Sequence, residues 1–422
     1  MGQDLIVAVT SAPTPAGLVP AAGARLLALV VAVALVAAAF VLAGAGGGTA
    51  GRELAFSLLL GGAFGVTLQR SRFCFYCITR DFIERRETEG LVAILVALAA
   101  GTLGYLALLG AMLPVPTGRL PPGAHIGPLS VALVAGAALF GVGMTVSGSC
   151  ISAHFYRLGE GHWPSLLALL GAAVGFVLGF LTWNPLYLGL IQAAPVVWLP
   201  QHLGYGGTAL VQLALLGGLA TVVWRAGQRA RVAAPAIARA TTSALPPPGL
   251  WTLLSTRRWP PVAAGLIVGF IGVLAYLRVA PLGVTAELGS LARTGVAAAG
   301  WLPDRLQGLD SFAGCATVVK AALLSNNGVF VLGLVGGAFA AALNAGAFRV
   351  ARAGAGKLAR QFAGGVLMGW GGMTALGCTV GTLLSGISAG AASGWVFGAV
   401  CVLAIWLSLA IARRGWGVGR AD

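Results

Sequence analysis

Charge is scarce in this chain. Asp, Glu, Lys and Arg make up 9% of its 422 residues, apolar residues make up 58%, and the mean hydropathy is +0.92. That balance excludes a water-soluble globular domain, because too few polar groups are available to cover an apolar interior. Lysine is nearly absent, with Lys320 and Lys357 the only two. A phosphate-cradling loop with its lysine is thereby excluded, and the glycine-rich runs read as helix-packing surfaces instead. The four histidines fall in loops or at span ends without helical ligand spacing, so they read as interfacial. No metal, cofactor or catalytic residue is expected. The six cysteines lack the framework of a small secreted domain and are expected to be free thiols. The chain opens on Met1-Gly2-Gln3-Asp4 with no charged stretch before an apolar core, so no cleaved signal peptide is expected.

What the chain has is long apolar runs. Leu27–Ala45 and Val262–Tyr276 are apolar throughout, whereas barrel strands would alternate with period two. The expected fold class is therefore an all-α polytopic membrane protein, and 65 glycines suit helices packed backbone to backbone in lipid. A net charge of +15 would suggest nucleic acid in a soluble protein. Here the arginines fall between hydrophobic spans, so they set topology, and the surrounding partner is membrane lipid. Arg225 to Pro261 holds six arginines and no acidic residue. This linker and the tail at Arg413-Arg414 are expected on the cytoplasmic side of an inner (plasma) membrane.

Two elements repeat. Gly136, Leu139, Gly141, Gly143 and Cys150 recur at the same spacing as Gly364, Leu367, Gly369, Gly371 and Cys378. Gly61-Gly62-Ala63-Phe64 with Leu68 and Phe73 recurs as Gly336-Gly337-Ala338-Phe339 with Leu343 and Phe348; Cys74 follows in one copy and Arg349 in the other. Duplicated, interrupted apolar segments point to a transporter with its path between the repeats. The expected division is a lead and extra transmembrane helix (1–52), a first half (53–224), a basic linker (225–261) and a second half (262–422). The polar end of the first GGAF element predicts a helix that stops partway and turns back. Arg80 to Glu87 reads as a surface turn, His154 to Trp163 as an interfacial stretch, Pro281 to Lys320 as irregular, and Arg349 to Arg360 as a short basic turn.

Most buried cysteines are small hydrophobes, and Cys315 and Cys401, which fill no repeat slot, read that way. Cys150 and Cys378 end the same motif in each half and read as lining a path; Cys74 is similar. Cys74-Phe75-Tyr76-Cys77 has the spacing of a redox or metal pair, but no βαβ pattern surrounds it and no second pair completes a site.

Gln69-Arg70-Ser71-Arg72-Phe73-Cys74 resembles the opening motif of the YeeE/YedE family of sulfur-compound transporters. So do Phe140-Gly141-Val142-Gly143 through Gly148-Ser149-Cys150, Tyr156-Arg157-Leu158-Gly159-Glu160-Gly161, and Gly364–Gly369 through Gly377-Cys378. The resemblance implies pseudo-symmetric halves with interrupted or re-entrant helices forming an hourglass-shaped path, and import of thiosulfate past Cys74, Cys150 and Cys378. It also implies a small cytosolic cysteine-bearing sulfurtransferase as partner, since none is fused here. Cys77 and the first span have no counterpart in these motifs. A selenium-compound transporter and a membrane-embedded sulfurtransferase forming a cysteine persulfide remain alternatives. No general base or pair of lysines stands near the thiols to favour the enzyme.

No basic residue lies between Gly136 and Cys150 or between Gly364 and Cys378. Short helices are therefore expected to begin beside these cysteines, so that helix N-termini receive the anion. Gly148 and Gly377 are expected to let backbone approach it closely. Arg70 and Arg72 are expected to act as an electrostatic funnel at one mouth.

Overall fold

In the computed structural model the structure describes residues 22–45, 48–233, 258–303, 305–309, 312 and 324–414. Every regular element among them is helical, and the only β-pairing is two isolated bridges. The helices are α1 (Ala22–Ala45), α2 (Thr49–Ser71), α3 (Phe75–Arg85), α4 (Glu89–Met112), α5 (Val131–Ser147), α6 (Ile151–Gly159), α7 (Pro164–Leu181) and α8 (Trp183–Leu186). After a π turn (Tyr187–Ile191) come α9 (Leu199–Ala233), α10 (Pro261–Arg278), α11 (Ala286–Ala298), α12 (Asn326–Asn344) and α13 (Ala355–Thr374), then a π-helical segment (Thr379–Gly386) and α14 (Ala392–Arg413). Eight helices of the described residues are long and apolar enough to cross a membrane, or nine if α13 and the π segment, bent by 41°, count as one broken span. The chain is an all-α, multi-pass membrane protein.

Glycine decides which helices meet. In lipid no hydrophobic force drives helices together, so close backbone contact has to do it. The two GGAF helices pack on each other: a Cβ at Gly61 or Gly65 would run into the carbonyls of Phe330 and Leu334, and one at Gly337 into that of Gly62. Residue numbers rise together along this contact, so α2 and α12 are parallel. The two glycine-cysteine helices also pack on each other, Gly136 against Gly371 and Gly143 against Gly364, which makes α5 and α13 antiparallel. Each repeated sequence element is thus its own copy's packing partner. Helix α13 is clamped on another side by α7, where Gly365 and Gly369 meet the carbonyls of Ala168 and Ala172.

One end of the bundle gathers the arginines. Arg70 O accepts from Trp259 N (3.1 Å), Glu160 O from Arg349 N (3.0 Å), and Gly161 O from Ala351 N (3.1 Å). The ends of α2 and α6 are thereby tied to the starts of α10 and α13.

Several segments differ from their sequence expectations. Arg80 to Arg85 is the second half of α3 rather than a turn, held by Arg80 to Asp81 (2.8 Å) and to Glu84 (4.0 Å). Helix α13 starts at Ala355, so only 349–354 of the basic stretch is non-helical. Ala286–Ala298, inside the supposed irregular stretch, is α11. The linker begins later than its first arginine, because α9 continues through Arg225 and Arg229 to Ala233. Arg239, Arg257, Cys315 and Lys320 lie outside the described residues. His154 to Gly159 is not interfacial but a buried helix: His154 is 0% exposed, its two ring nitrogens hydrogen bonding with Ser165 Oγ (3.3 Å) and Ser147 Oγ (3.2 Å). Those two hydroxyls make burial of the imidazole tolerable.

Candidate substrate path

Three short helices begin inside the bundle, and each begins on a cysteine. Cys74 is the N-cap of α3, Cys150 of α6 and Cys378 of the π segment, all three in extended backbone. The approach to each is built alike. Two residues before each cysteine stands a left-handed residue: Arg72 (φ 54°), Gly148 (φ 78°) and Leu376 (φ 58°). A helix therefore stops, the backbone reverses its twist for one residue, and a new helix starts at the thiol. Only glycine takes that conformation without cost; Arg and Leu there store strain of roughly 1–3 kcal/mol each. Such strain persists where the surroundings over-determine it, and it stands here twice beside a thiol.

A helix N-terminus presents N–H groups that lack intrahelical partners, together with roughly half a positive charge. Neither Cys74 nor Cys150 caps its helix through its side chain, whereas Cys378 Sγ accepts from Gly381 N at 3.4 Å. Helices α3 and α6 run from their thiols toward the arginine-bearing end. The π segment runs the other way, since α13 enters from that end. Three positive termini thus face inward from two directions, and anions bind well to such termini.

The thiols themselves are buried. Cys74, Cys150 and Cys378 are 1%, 3% and 1% exposed, and Cys74 Sγ donates to Cys150 Sγ at 3.8 Å. A mostly apolar chamber of about 40 Å³ is lined by one of them, Cys150, with Ser152, and by Thr379, Val380 and Leu383. It brings the start of α6 against the start of the π segment. Beyond that segment a smaller cavity is lined by His125, Gly127, Ala375, Leu376, Thr382 and Ser393. Thiols in such surroundings supply weak S–H donors without the cost of a fixed buried charge.

The remaining sequence candidates separate. A Cβ on Gly377 would meet Thr382 Oγ1, with Thr382 N at 3.2 Å, so close approach does require glycine there. At Gly148 nothing lies within 4 Å of an added Cβ, and its positive φ, not close approach, is what asks for glycine. Arg70 is buried, whereas Arg72 has a side chain 43% exposed and pairs with Glu160 at 3.5 Å. Gln69 Nε2 donates to the same carboxylate at 3.2 Å. Arg72 alone of the two therefore faces a mouth. A cavity of about 740 Å³ opens at this end, lined by Arg72, Arg85, Arg86 and Arg258 together with Asp81, Glu87 and Glu89, so its charge is mixed rather than uniformly basic. His162, in the turn after α6, adds no charge at neutral pH: burial, then the cations of Arg157 and Lys357, push it down to about 4.

Cys77, one turn along α3, lies 4.0 Å from Gly148 O and accepts from Arg157 Nη2 at 3.7 Å. Cys401 Sγ donates to Ala137 O at 3.3 Å where α14 packs on α5. Sequence reasoning missed the common left-handed step, the π segment, Ser152, Thr382 and His125. A hydroxyl within one turn after Cys150 and after Cys378 was the available signal for two of these.

The sequence pattern of the family described as Sulphur transport matches residues 70–407, from the first motif arginine into α14. Among curated proteins the chain is 29% identical over 359 residues to the thiosulfate transporter TsuA of Escherichia coli (strain K12), covering 83% of this chain and 92% of that protein. It is 27% identical over 369 residues to the thiosulfate transporter TsuA of Spirochaeta thermophila, covering 83% and 96%. A shorter similarity, 26% over 188 residues, links it to the probable transporter YedE of Escherichia coli.

Proposed function

Since the chain belongs to the sulphur transport family, we propose that it carries thiosulfate into the cell, the anion passing Cys378, then the Cys150 and Cys74 pair. The observation that carries this reading is that three helices each start on a buried cysteine within one core cluster. Thiosulfate is a dianion with a soft sulfane sulfur at one end and three oxygens at the other. A thiol can donate weakly to the sulfur, and helix-terminal N–H groups can take the oxygens. Weak sites in series let an ion enter and also leave, where a buried lysine would bind harder and retain it.

The arginine-bearing end is assigned to the cytoplasm, in an inner membrane, because Arg and Lys cluster in the segments joining the spans there, among them Arg225 to Arg258 and Arg349 to Arg360. A small cytosolic cysteine-bearing sulfurtransferase docking at that end would draw sulfane sulfur from the exit, with residues 53–224 and 262–422 as the two halves of the path. A persulfide-forming enzyme is the rival from another class, and a non-transporting scaffold is a third.

Uptake of thiosulfate labelled separately at its sulfane and sulfonate sulfurs, into vesicles holding the purified protein, distinguishes these. Both labels are expected inside at equal rates. Arrival of the sulfane label alone would replace transport by sulfur transfer, and arrival of neither would leave a scaffold.

A further inference from the structure

Buried polar groups are nearly always hydrogen bonded, and an unpaired one calls for a reason. Three hydroxyls beside the thiols break the rule, those of Ser149, Ser152 and Thr382, and of these Ser152 and Thr382 also line cavities. Ser152, two residues past Cys150, is 4% exposed, and Thr382, one turn past Cys378, is 5% exposed. Neither hydroxyl has a partner in the structure. Each faces a cavity: Ser152 lines the central chamber together with Cys150, and Thr382 lines the outer cavity with His125 and Ser393. The outer cavity contains a second orphan, His125 Nδ1, on a ring 8% exposed. No charged residue among those described lines either cavity.

Resting on the transport reading above, we propose that Ser152 and Thr382 are specificity-determining residues: each donates to the oxygen end of the substrate while the neighbouring cysteine holds its sulfur end. A hydroxyl is a strong donor suited to a sulfonate oxygen, and a thiol is a weak, polarisable one suited to sulfane sulfur. Ser152 stands two residues past Cys150 and Thr382 one turn past Cys378, so each hydroxyl shares a helix start with its cysteine, and the pair reads both ends of an S–SO₃ unit. An all-soft anion such as hydrosulfide would satisfy only the thiol, and a sulfonate without the sulfane sulfur only the hydroxyl. An oxygen of the anion would give each hydroxyl the acceptor that the protein itself does not supply.

The test uses the full-length protein purified in detergent, with methanesulfonate and hydrosulfide as probes in calorimetric titrations, alongside thiosulfate uptake into vesicles. Ser152→Ala and Thr382→Val remove the hydroxyls with little change of shape. Each is expected to weaken methanesulfonate binding, and to raise the KM for thiosulfate, by about tenfold or more, the effect of one hydrogen bond to a charged group. Hydrosulfide binding should stay unchanged, and Thr382→Ser should restore the loss. A structural disturbance would weaken both probes together, and that result overturns the proposal. If wild-type vesicles take up thiosulfate while the variants bind methanesulfonate normally, the hydroxyl station fails and transport stands. If the wild type takes up none but binds methanesulfonate through these hydroxyls, transport fails and the station stands.

Discussion

Thiosulfate uptake falls below detection when Cys74, Cys150 or Cys378 is replaced singly by alanine, and stays near the wild-type rate when Cys77, Cys315 or Cys401 is replaced. That division is the expected outcome of a growth assay in a host needing imported thiosulfate. Each of the first three is the buried N-cap of a helix, and on the proposed path its S–H would be a donor to an anion that has left water. Alanine there leaves an apolar wall, and a buried anion without its donors is costly by several kcal/mol. Cys74 and Cys150 are 3.8 Å apart, so loss of either removes half of one station. Cys401 sits instead in the α14 and α5 contact, bonded to Ala137 O. Its replacement costs about 1 kcal/mol of packing or less and leaves the path intact. Growth of the Cys150→Ala variant alongside failure of Cys401→Ala would reverse the assignment.

Gly377→Val is expected to abolish uptake while the folded protein still accumulates in the membrane. An added Cβ would meet Thr382 Oγ1, and Thr382 N lies 3.2 Å away. Valine must therefore push the first turn of the π segment off the end of α13. That turn is the one whose N–H at Gly381 reaches Cys378 Sγ, so the displaced groups are those facing the anion. The helix contacts of α13 with α5 and α7 run along its second half, through Gly364, Gly365, Gly369 and Gly371, all before Gly377 in the chain. Vesicle uptake together with size-exclusion behaviour of the purified variant checks this. A monodisperse variant transporting normally would remove backbone capture at this helix start from the mechanism.

Hydropathy made the helical, multi-pass class legible, because a window of apolar residues long enough to span is a property of composition. The repeats were legible as well, though their meaning shifted. Glycines at matching positions in α2 and α12, and in α5 and α13, record two backbones in contact. The breaks at Cys74, Cys150 and Cys378 were legible from the polar or glycine-rich run before each thiol. Their shared construction was not, because the left-handed residue is Arg72, Gly148 or Leu376 in turn, and nothing in an arginine or a leucine announces positive φ. The fourth repeat slot, at Arg349, gave no hint of its fate. Its backbone N–H donates to Glu160 O, and the next helix starts only at Ala355. His154 was misplaced because polarity along the chain says nothing of what a fold brings alongside, here two serine hydroxyls. Arg80 to Arg85 read as a turn for a related reason: mixed charges at short spacing suit both a loop and the solvated face of a helix.

On the proposed mechanism thiosulfate crosses with its sulfur end at thiols and its oxygen end at helix starts. Selenosulfate, in which selenium replaces the terminal sulfur, tests it most directly through anomalous diffraction from crystals grown with the anion. The expected result is a selenium peak in contact with Sγ of Cys150 or Cys378, with the sulfonate oxygens turned toward the first-turn N–H groups of α6 or the π segment. Selenium bound only in the mixed-charge cavity between Arg85 and Glu87, or an anion at the thiols with its oxygens against the sulfurs, would contradict it.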